Sequence, residues 1–383
     1  MTLSAIFRVG GIPCLISDFL VTGNGPVEIS VPTYLNVEKV LPIGAAKITG
    51  LVRKSALISP GLVVAGSGNG SSAQRAIQRL FANFEGKKIT RPELQDVLAH
   101  MDDLAKSNLA CKLIGWLVDD EKPVSFRWDS GVFKHLTFGE DFVEGSGKAL
   151  YEEVAPKPAL QSVSATEPFE GAAEFCVHQT ATLWANELLR GNTLSSRFGV
   201  GYDIFIFDAG RFRLVEDVTY LLFKLEFRQA VNGGVTYRVW TPPILTKQFH
   251  IEEHCLIRVF LPPNMMGITP SESERMGTVP PLVKSSTPVT PRTATQFRDM
   301  PLTSSRYGCC WFGETEGGLP EVFTAVASRS DAAQFKIYVA GKHEDGLDEI
   351  KFELPPLIMT NMVTAAVRAF ERGGTRLKIT AQN

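Results

Sequence analysis

At roughly 150 residues per domain, 383 residues make two or three domains, and 44% apolar with 21% charged residues excludes a wholly disordered, collagenous or coiled-coil chain. Lys plus Arg (39) nearly cancels Asp plus Glu (41) and the isoelectric point is near 6.3, so no long-range positive field gathers polyanions and nucleic acid is not an expected partner. No uncharged run approaches the ~18 apolar residues of a membrane span, and Met1 to Val9 lacks the basic start and long apolar stretch of a signal peptide, so no membrane partner and a cytoplasmic location are expected.

In chain order, residues 3–9, a Gly10-Gly11 turn and 12–16 alternate like a hairpin, followed by strands over 27–31, 56–58 and 62–65. Ala76, Ile77, Leu80, Phe81 and Phe84 fall at helical spacing within 72–84. A second helix over 90–104 opens at Thr90-Arg-Pro-Glu93, the pattern of a capping box. Strands resume over 110–118, 124–128, 132–136 and 142–143, then helices over 145–154 and 172–189, then strands over 202–207, 212–215, 218–227 and 235–240. Strands, two helices, strands, helices, strands is not a βα repeat. The expected class is α+β, with two antiparallel sheets face to face and helices on both outer surfaces.

Beyond residue 240 the composition shifts. Residues 263–305 are crowded with Pro, Ser and Thr and read as a mobile loop, and residues 306–380 read as short strands around a helix over 364–370. The expected organisation is therefore a domain over 1–240 and a β-rich extension over 241–383. The six cysteines lie scattered, most of them in apolar runs, as free thiols packed like small hydrophobes would. His250-Ile-Glu-Glu-His254 matches a zinc-protease pattern, but its flanks read as strand, and a surface pair of histidines is expected instead. Gly66-Ser-Gly-Asn-Gly-Ser-Ser before a helix lacks the lysine of a phosphate-binding loop. No cofactor is implied.

Met1-Thr-Leu-Ser-Ala-Ile-Phe-Arg-Val-Gly-Gly-Ile-Pro-Cys-Leu-Ile-Ser-Asp18, followed by Gly61-Leu-Val-Val-Ala-Gly66, Glu144-Gly-Ser-Gly147 and Gly199-Val-Gly-Tyr-Asp203, resembles, in order, the proteasome β-type subunits of the N-terminal-nucleophile hydrolases. The resemblance covers about 1–240 and implies a four-layer αββα sandwich. It implies attack by a threonine hydroxyl whose own α-amine, with a pKa of about 8, takes the proton. Thr2 would be that nucleophile after Met1 removal, Asp18 its supporting carboxylate sixteen positions on, Gly66 the oxyanion-hole N–H and Ser146 the serine of the Gly-Ser-Gly turn.

Two departures count against activity. The family's lysine falls at position 34, which here is Tyr34, and its loop aspartate and serine align with Ser195 and Phe198. Lys39 is the nearest lysine and the expected substitute. A threonine without electrostatic support loses several powers of ten in rate. The sequence therefore favours a catalytically degenerate, self-assembling structural or binding component, with an active threonine peptidase or amidase acting on a peptide or protein as the alternative. The resemblance further implies a homo-oligomeric ring. The helix over 172–189 carries more apolar residues than one buried stripe needs, which makes it the candidate interface unless the extension covers it.

Overall fold

Gly10 and Gly11 both take positive φ (55° and 87°), the handedness that lets a two-residue turn follow the twist of the strands it joins. In the computed structural model, described over residues 2–23, 31–33, 47–105, 110–131, 136–139, 141–155, 167–229, 235–262, 274–283, 301–316, 320–342, 348–373 and 378–380, that turn joins β1 (Ser4–Val9) to β2 (Ile12–Asp18). A short pair follows, β3 (Leu20–Gly23) with β4 (Lys47–Leu51). Next come β5 (Ser55–Ser59), β6 (Leu62–Gly68), α1 (Gly70–Phe84), α2 (Arg91–Ala99), β7 (Cys111–Asp119), β8 (Lys122–Asp129), β9 (Leu136–Phe138) and β10 (Phe142–Glu144). After α3 (Lys148–Val154) and α4 (Pro168–Arg190) come β11 (Tyr202–Asp208), β12 (Arg211–Leu214), β13 (Asp217–Gln229), β14 (Val235–Val239), β15 (Ile244–Ile251), β16 (His254–Phe260) and β17 (Glu274–Val279). The chain ends in β18 (Tyr307–Glu314), β19 (Pro320–Val326), the hairpin β20 (Lys336–Lys342) and β21 (Asp348–Glu353), α5 (Pro356–Arg372) and β22 (Ile379–Thr380).

Two five-stranded sheets, β10-β1-β2-β11-β12 and β5-β6-β7-β8-β9, face each other across Ile6, Leu15, Val63, Trp116 and Phe205. Helices α1 and α2 line the outer face of the second, sharing one buried cluster with Leu62, Val64 and Leu113. The third large sheet, β17-β16-β15-β13-β18-β19 with β14 and β22 also on β13, has eight strands and packs against α4 with one face. Helix α5 and the β20–β21 hairpin cover its other face around Phe223, Trp311 and Phe370.

The four-layer αββα sandwich is therefore not the fold. Among the described residues strand outweighs helix by 47% to 28%, in five separate sheets. The stack does not stop at α4, because β13 leaves β12 and enters the eight-stranded sheet, pairing in parallel with β18 (Thr219 opposite Tyr307). That sheet draws on both sides of position 240. Buried between two sheets, α4 is apolar nearly all round: Phe175, Val177, Leu183, Trp184 and Leu188 are all buried. The apolar surplus expected at a subunit interface is covered by the chain's own later strands, each large side chain contributing about 1.5–3 kcal/mol.

Smaller differences have local causes. The helix expected over 90–104 stops at Ala99 and restarts as a single turn, Asp102–Ala105. Its start is as read: the Thr90 backbone N–H and hydroxyl both donate to Glu93 Oε2 (2.8 and 2.7 Å). Within the expected mobile loop, Glu274–Val279 is a strand paired with β16, since Met276 and Val279 find a partner edge there. Residues 263–273 and 284–300, and the strand expected over 27–31 apart from Val31, lie outside the described residues. All six cysteines are free and buried. Among the described residues no helix is long and apolar enough to cross a membrane.

Candidate active site

The β1–β2 register, Ser4 opposite Ser17, brings the chain's start beside the end of β2. Thr2 Oγ1 donates to Asp18 Oδ1 at 2.7 Å, and the Leu3 N–H donates to the same oxygen at 2.7 Å. Asp18 Oδ2 accepts from the N–H groups of Leu20 and Gly199, each at 3.0 Å. The carboxylate is wholly buried, and donors on both oxygens offset the cost of its desolvation.

The fifth donor is the cation that sequence spacing failed to place. Lys54 Nζ lies 2.8 Å from Asp18 Oδ1, buried to 6% exposure. Burial pushes its ammonium below the usual lysine range while the Asp18 charge and hydrogen bond work against that shift. The expected substitute, Lys39, lies outside the described residues, as does Tyr34. Lys54 was missed because the count ran forward from Thr2 through a long connection. Counting back from Gly66 across the β5–β6 hairpin, where Ser55 faces Ala65, reaches Lys54 at once.

Backbone bonds fix the segment before β5 that carries it. The Arg53 N–H donates to the Pro280 carbonyl (2.8 Å), the Leu282 N–H donates to the Arg53 carbonyl (3.0 Å) and the Gly66 N–H donates to the Lys54 carbonyl (3.0 Å). Strand alternation turns Lys54 toward Asp18 and its neighbours Arg53 and Ser55 toward a second buried carboxylate, Asp203. Arg53 Nε reaches both Asp203 oxygens (3.0 and 3.1 Å), Arg53 Nη1 donates to the Glu253 carbonyl (2.7 Å), Ser55 Oγ donates to Asp203 Oδ2, and His250 Nε2 lies 2.8 Å from Asp203 Oδ1. Burial pushes the Asp203 carboxyl up, yet Arg53, His250 and Ser55 together hold it below the usual carboxylate range.

The other expected site residues fare unequally. The Gly66 N–H is committed to the Lys54 carbonyl, so the ladder itself occupies the donor expected to serve an oxyanion. Ser146 is exposed, while its neighbours carry the contact: the Gly147 N–H donates to the Thr2 carbonyl at 3.2 Å, and Gly145 lies so close that a Cβ there would collide with that carbonyl. Ser195 Oγ donates to the Asn192 carbonyl (2.9 Å), and the Phe198 ring packs on Gly147. His250 is buried rather than on the surface, and the turn of the β15–β16 hairpin separates it from His254. Among the described residues no group of His, Cys, Asp and Glu is placed to hold a metal ion. Asn69 Oδ1 accepts from the Ser72 N–H (3.0 Å) and caps α1, which accounts for the Gly-Ser-Gly-Asn run.

A cavity of about 950 Å³ opens on the Arg53 and Ser55 side of β5, bounded by Phe205, Phe212 and Glu253. Thr2, Asp18 and Lys54 do not line it. Compared with known proteins, the chain matches no family model and no curated protein by sequence.

Proposed function

We propose that the protein is a hydrolase of amide or peptide bonds whose nucleophile is the Thr2 hydroxyl, exposed for catalysis by removal of Met1. The observation that carries this reading is the Thr2 Oγ1–Asp18 contact at 2.7 Å with the Lys54 ammonium 2.8 Å from the same carboxylate oxygen. A buried lysine at this position answers the strongest ground for a degenerate protein, the missing cation. The resemblance of the first hairpin to proteasome β-type subunits supports the same chemistry.

Once Met1 is gone, the Thr2 nitrogen is an amine on the nucleophile's own residue. With a pKa of about 8 it accepts the Oγ1 proton at neutral pH as the oxygen attacks the substrate carbonyl carbon. The amine then gives that proton to the departing nitrogen, leaving an ester on Thr2. Water, deprotonated by the same amine, attacks the ester, releasing a carboxylic acid and restoring the hydroxyl. Asp18 orients Thr2 through Oγ1 and the Leu3 amide, and Lys54 supplies positive charge beside the developing alkoxide.

A second reading, a catalytically silent binding component, is favoured by the Gly66 N–H being engaged in its ladder and by Thr2 being only 1% exposed. Intact mass of the purified protein and treatment with a peptide epoxyketone, which requires both the hydroxyl and the free amine of an N-terminal threonine, separate the two. Loss of Met1 with one adduct, absent in Thr2→Ala, supports the hydrolase. Retained Met1, or a processed protein that takes up no probe, rejects it.

A further inference from the structure

One buried acid has no part in the chemistry above. Glu187, near the end of α4, accepts from the Val200 N–H at 2.9 Å and from Thr193 Oγ1 at 3.2 Å, both on Oε2. Its Oε1 is buried without a hydrogen-bond partner, as is the Tyr202 hydroxyl. The adjacent amide, that of Gly199, donates to Asp18 Oδ2. Two carboxylates thus grip consecutive peptide N–H groups from opposite sides. The segment they hold is strained: Arg197, Gly199, Val200 and Gly201 have φ of 65°, 121°, 60° and 117°, and a β-branched residue in the left-handed region persists only where its surroundings impose it. Only glycine fits at 199, since a Cβ there would collide with Glu187 Oε2.

The geometry points to Glu187 as a positioning residue for Thr2, acting through the Gly199–Val200 peptide on the Asp18 carboxylate, and to its ionisation as the event that loosens this clamp. The inference rests on the threonine-hydrolase reading for its effect on reactivity, but not for the clamp itself. Burial pushes the Glu187 carboxyl up to about 7, the Asp18 charge adding to burial while Val200 and Thr193 oppose it. The titratable groups facing it are Asp18 at the end of β2, with its Lys54 partner, and Tyr202 on β11, whose hydroxyl burial and the Glu187 charge push well up. Because the folded site holds the proton more tightly than an opened one, raising the pH from about 4.5 through about 7 favours states in which the carboxyl reaches water and Val200 is released. The clamp is therefore tightest below about pH 4.5, weakens as pH rises and has lost this contribution once pH passes through about 7.

Amide hydrogen exchange in wild type, Glu187→Gln and Glu187→Ala, with epoxyketone labelling of the same samples, tests this. Glu187→Gln keeps a neutral acceptor. At pH 4.5 it should protect Gly199 as wild type does, and at pH 8.5, after correction for intrinsic exchange, about tenfold better than wild type. Glu187→Ala should expose both Gly199 and Val200 by about tenfold at either pH and slow labelling by a similar factor. Between pH 5 and 8 wild-type labelling should rise less than that of Glu187→Gln. Unchanged Gly199 protection in Glu187→Ala with only Val200 released would overturn the clamp, as would superimposable pH profiles for wild type and Glu187→Gln. Should no variant label while the Gly199 response persists, the hydrolase reading fails and the clamp stands; normal labelling with no Gly199 response rejects the clamp alone.

Discussion

Asp18 and Asp203 are both fully buried, and successive residues of the segment leading into β5 pair with them, Lys54 with the first and Arg53 with the second, yet they are satisfied in different ways. Asp18 takes three backbone amides, one hydroxyl and one ammonium. Asp203 is held by side chains, the Arg53 guanidinium just ahead of β5, the His250 imidazole on β15 and the Ser55 hydroxyl on β5. The contrast separates two uses of a buried carboxylate. Amides hold Asp18 wherever the backbone goes, which frees one of its oxygens to orient a reactive hydroxyl. Asp203 ties the first sheet pair to the eight-stranded sheet, and its loss leaves other charges stranded.

Replacing each cation in turn should give opposite results. Lys54→Met is expected to slow epoxyketone labelling of Thr2 by about a hundredfold or more, the scale on which a positioned acid–base or charged group acts. Arg53→Met should slow it by less than about tenfold, because the backbone bonds of Arg53 to Pro280 and Leu282 remain. Equal loss of labelling in both would mean that the strand as a whole, rather than the Lys54 charge, supports Thr2.

In chemical unfolding the ranking should invert. Arg53→Met leaves Asp203 with two donors and abandons the Glu253 carbonyl, at an expected cost of about 3–5 kcal/mol. Lys54→Met leaves Asp18 four donors, at about 1–3 kcal/mol. A larger loss for Lys54→Met would show that the ammonium, not the amides, carries the Asp18 site.

Glu187 sharpens the comparison because one of its oxygens is bare. Its folded pKa, about 7, lies above the 4.5 of an ordinary glutamate, so the folded state holds the proton more tightly than the unfolded chain. Its contribution is full below about 4.5, declines as pH rises and is lost by the time pH passes through about 7. The expected size is about 3 kcal/mol. Asp203 has the opposite sign: its stabilisation is present above the usual carboxylate range and is lost only as pH falls through its lowered folded value. Between pH 5 and 8, wild-type Tm should therefore fall relative to that of Glu187→Gln, and a constant difference would reject the raised pKa.

The two carboxylates were unequally legible. Thr2 and Asp18 could be read because one short hairpin with a glycine turn sets their register, and period-2 alternation carries it from Ser4–Ser17 to the chain's start. Lys54 could not be read at a fixed distance, since residues 24–46 lengthen the path between β2 and β5 and length there leaves no local mark. The Asp203 cluster depends on β15, and β13 depends on a parallel partner beyond residue 300, pairings with no short-range signal. The helical span of α4 was legible and its apolar surplus was real, but whether another subunit or the chain's own later strands covers it is a tertiary fact. Glu187 stood in that helix as a buried acid beside Leu188 and Leu189, a signal that gained meaning only with the positive-φ segment at Gly199.

The smallest expected effect isolates one donor of the side-chain-held carboxylate. Ser55→Ala removes the hydroxyl bond to Asp203 Oδ2, but Arg53 Nε remains 3.1 Å from that oxygen, and His250 and Arg53 stay on Oδ1. Ser55 borders the cavity of about 950 Å³, so the truncated side chain opens toward space that water can enter instead of leaving a sealed void. The loss should sit at the low end for a bond to a charged group, about 1.5 kcal/mol, and lower Tm by about 2 °C. Lys54 points the other way from the same strand and keeps its backbone bond to Gly66, so the labelling rate of Thr2 should stay within about twofold of wild type. A Ser55→Ala protein that labels as slowly as Lys54→Met would show that the Asp203 side governs the geometry of the Asp18 side, and the division of labour between the two carboxylates would not hold.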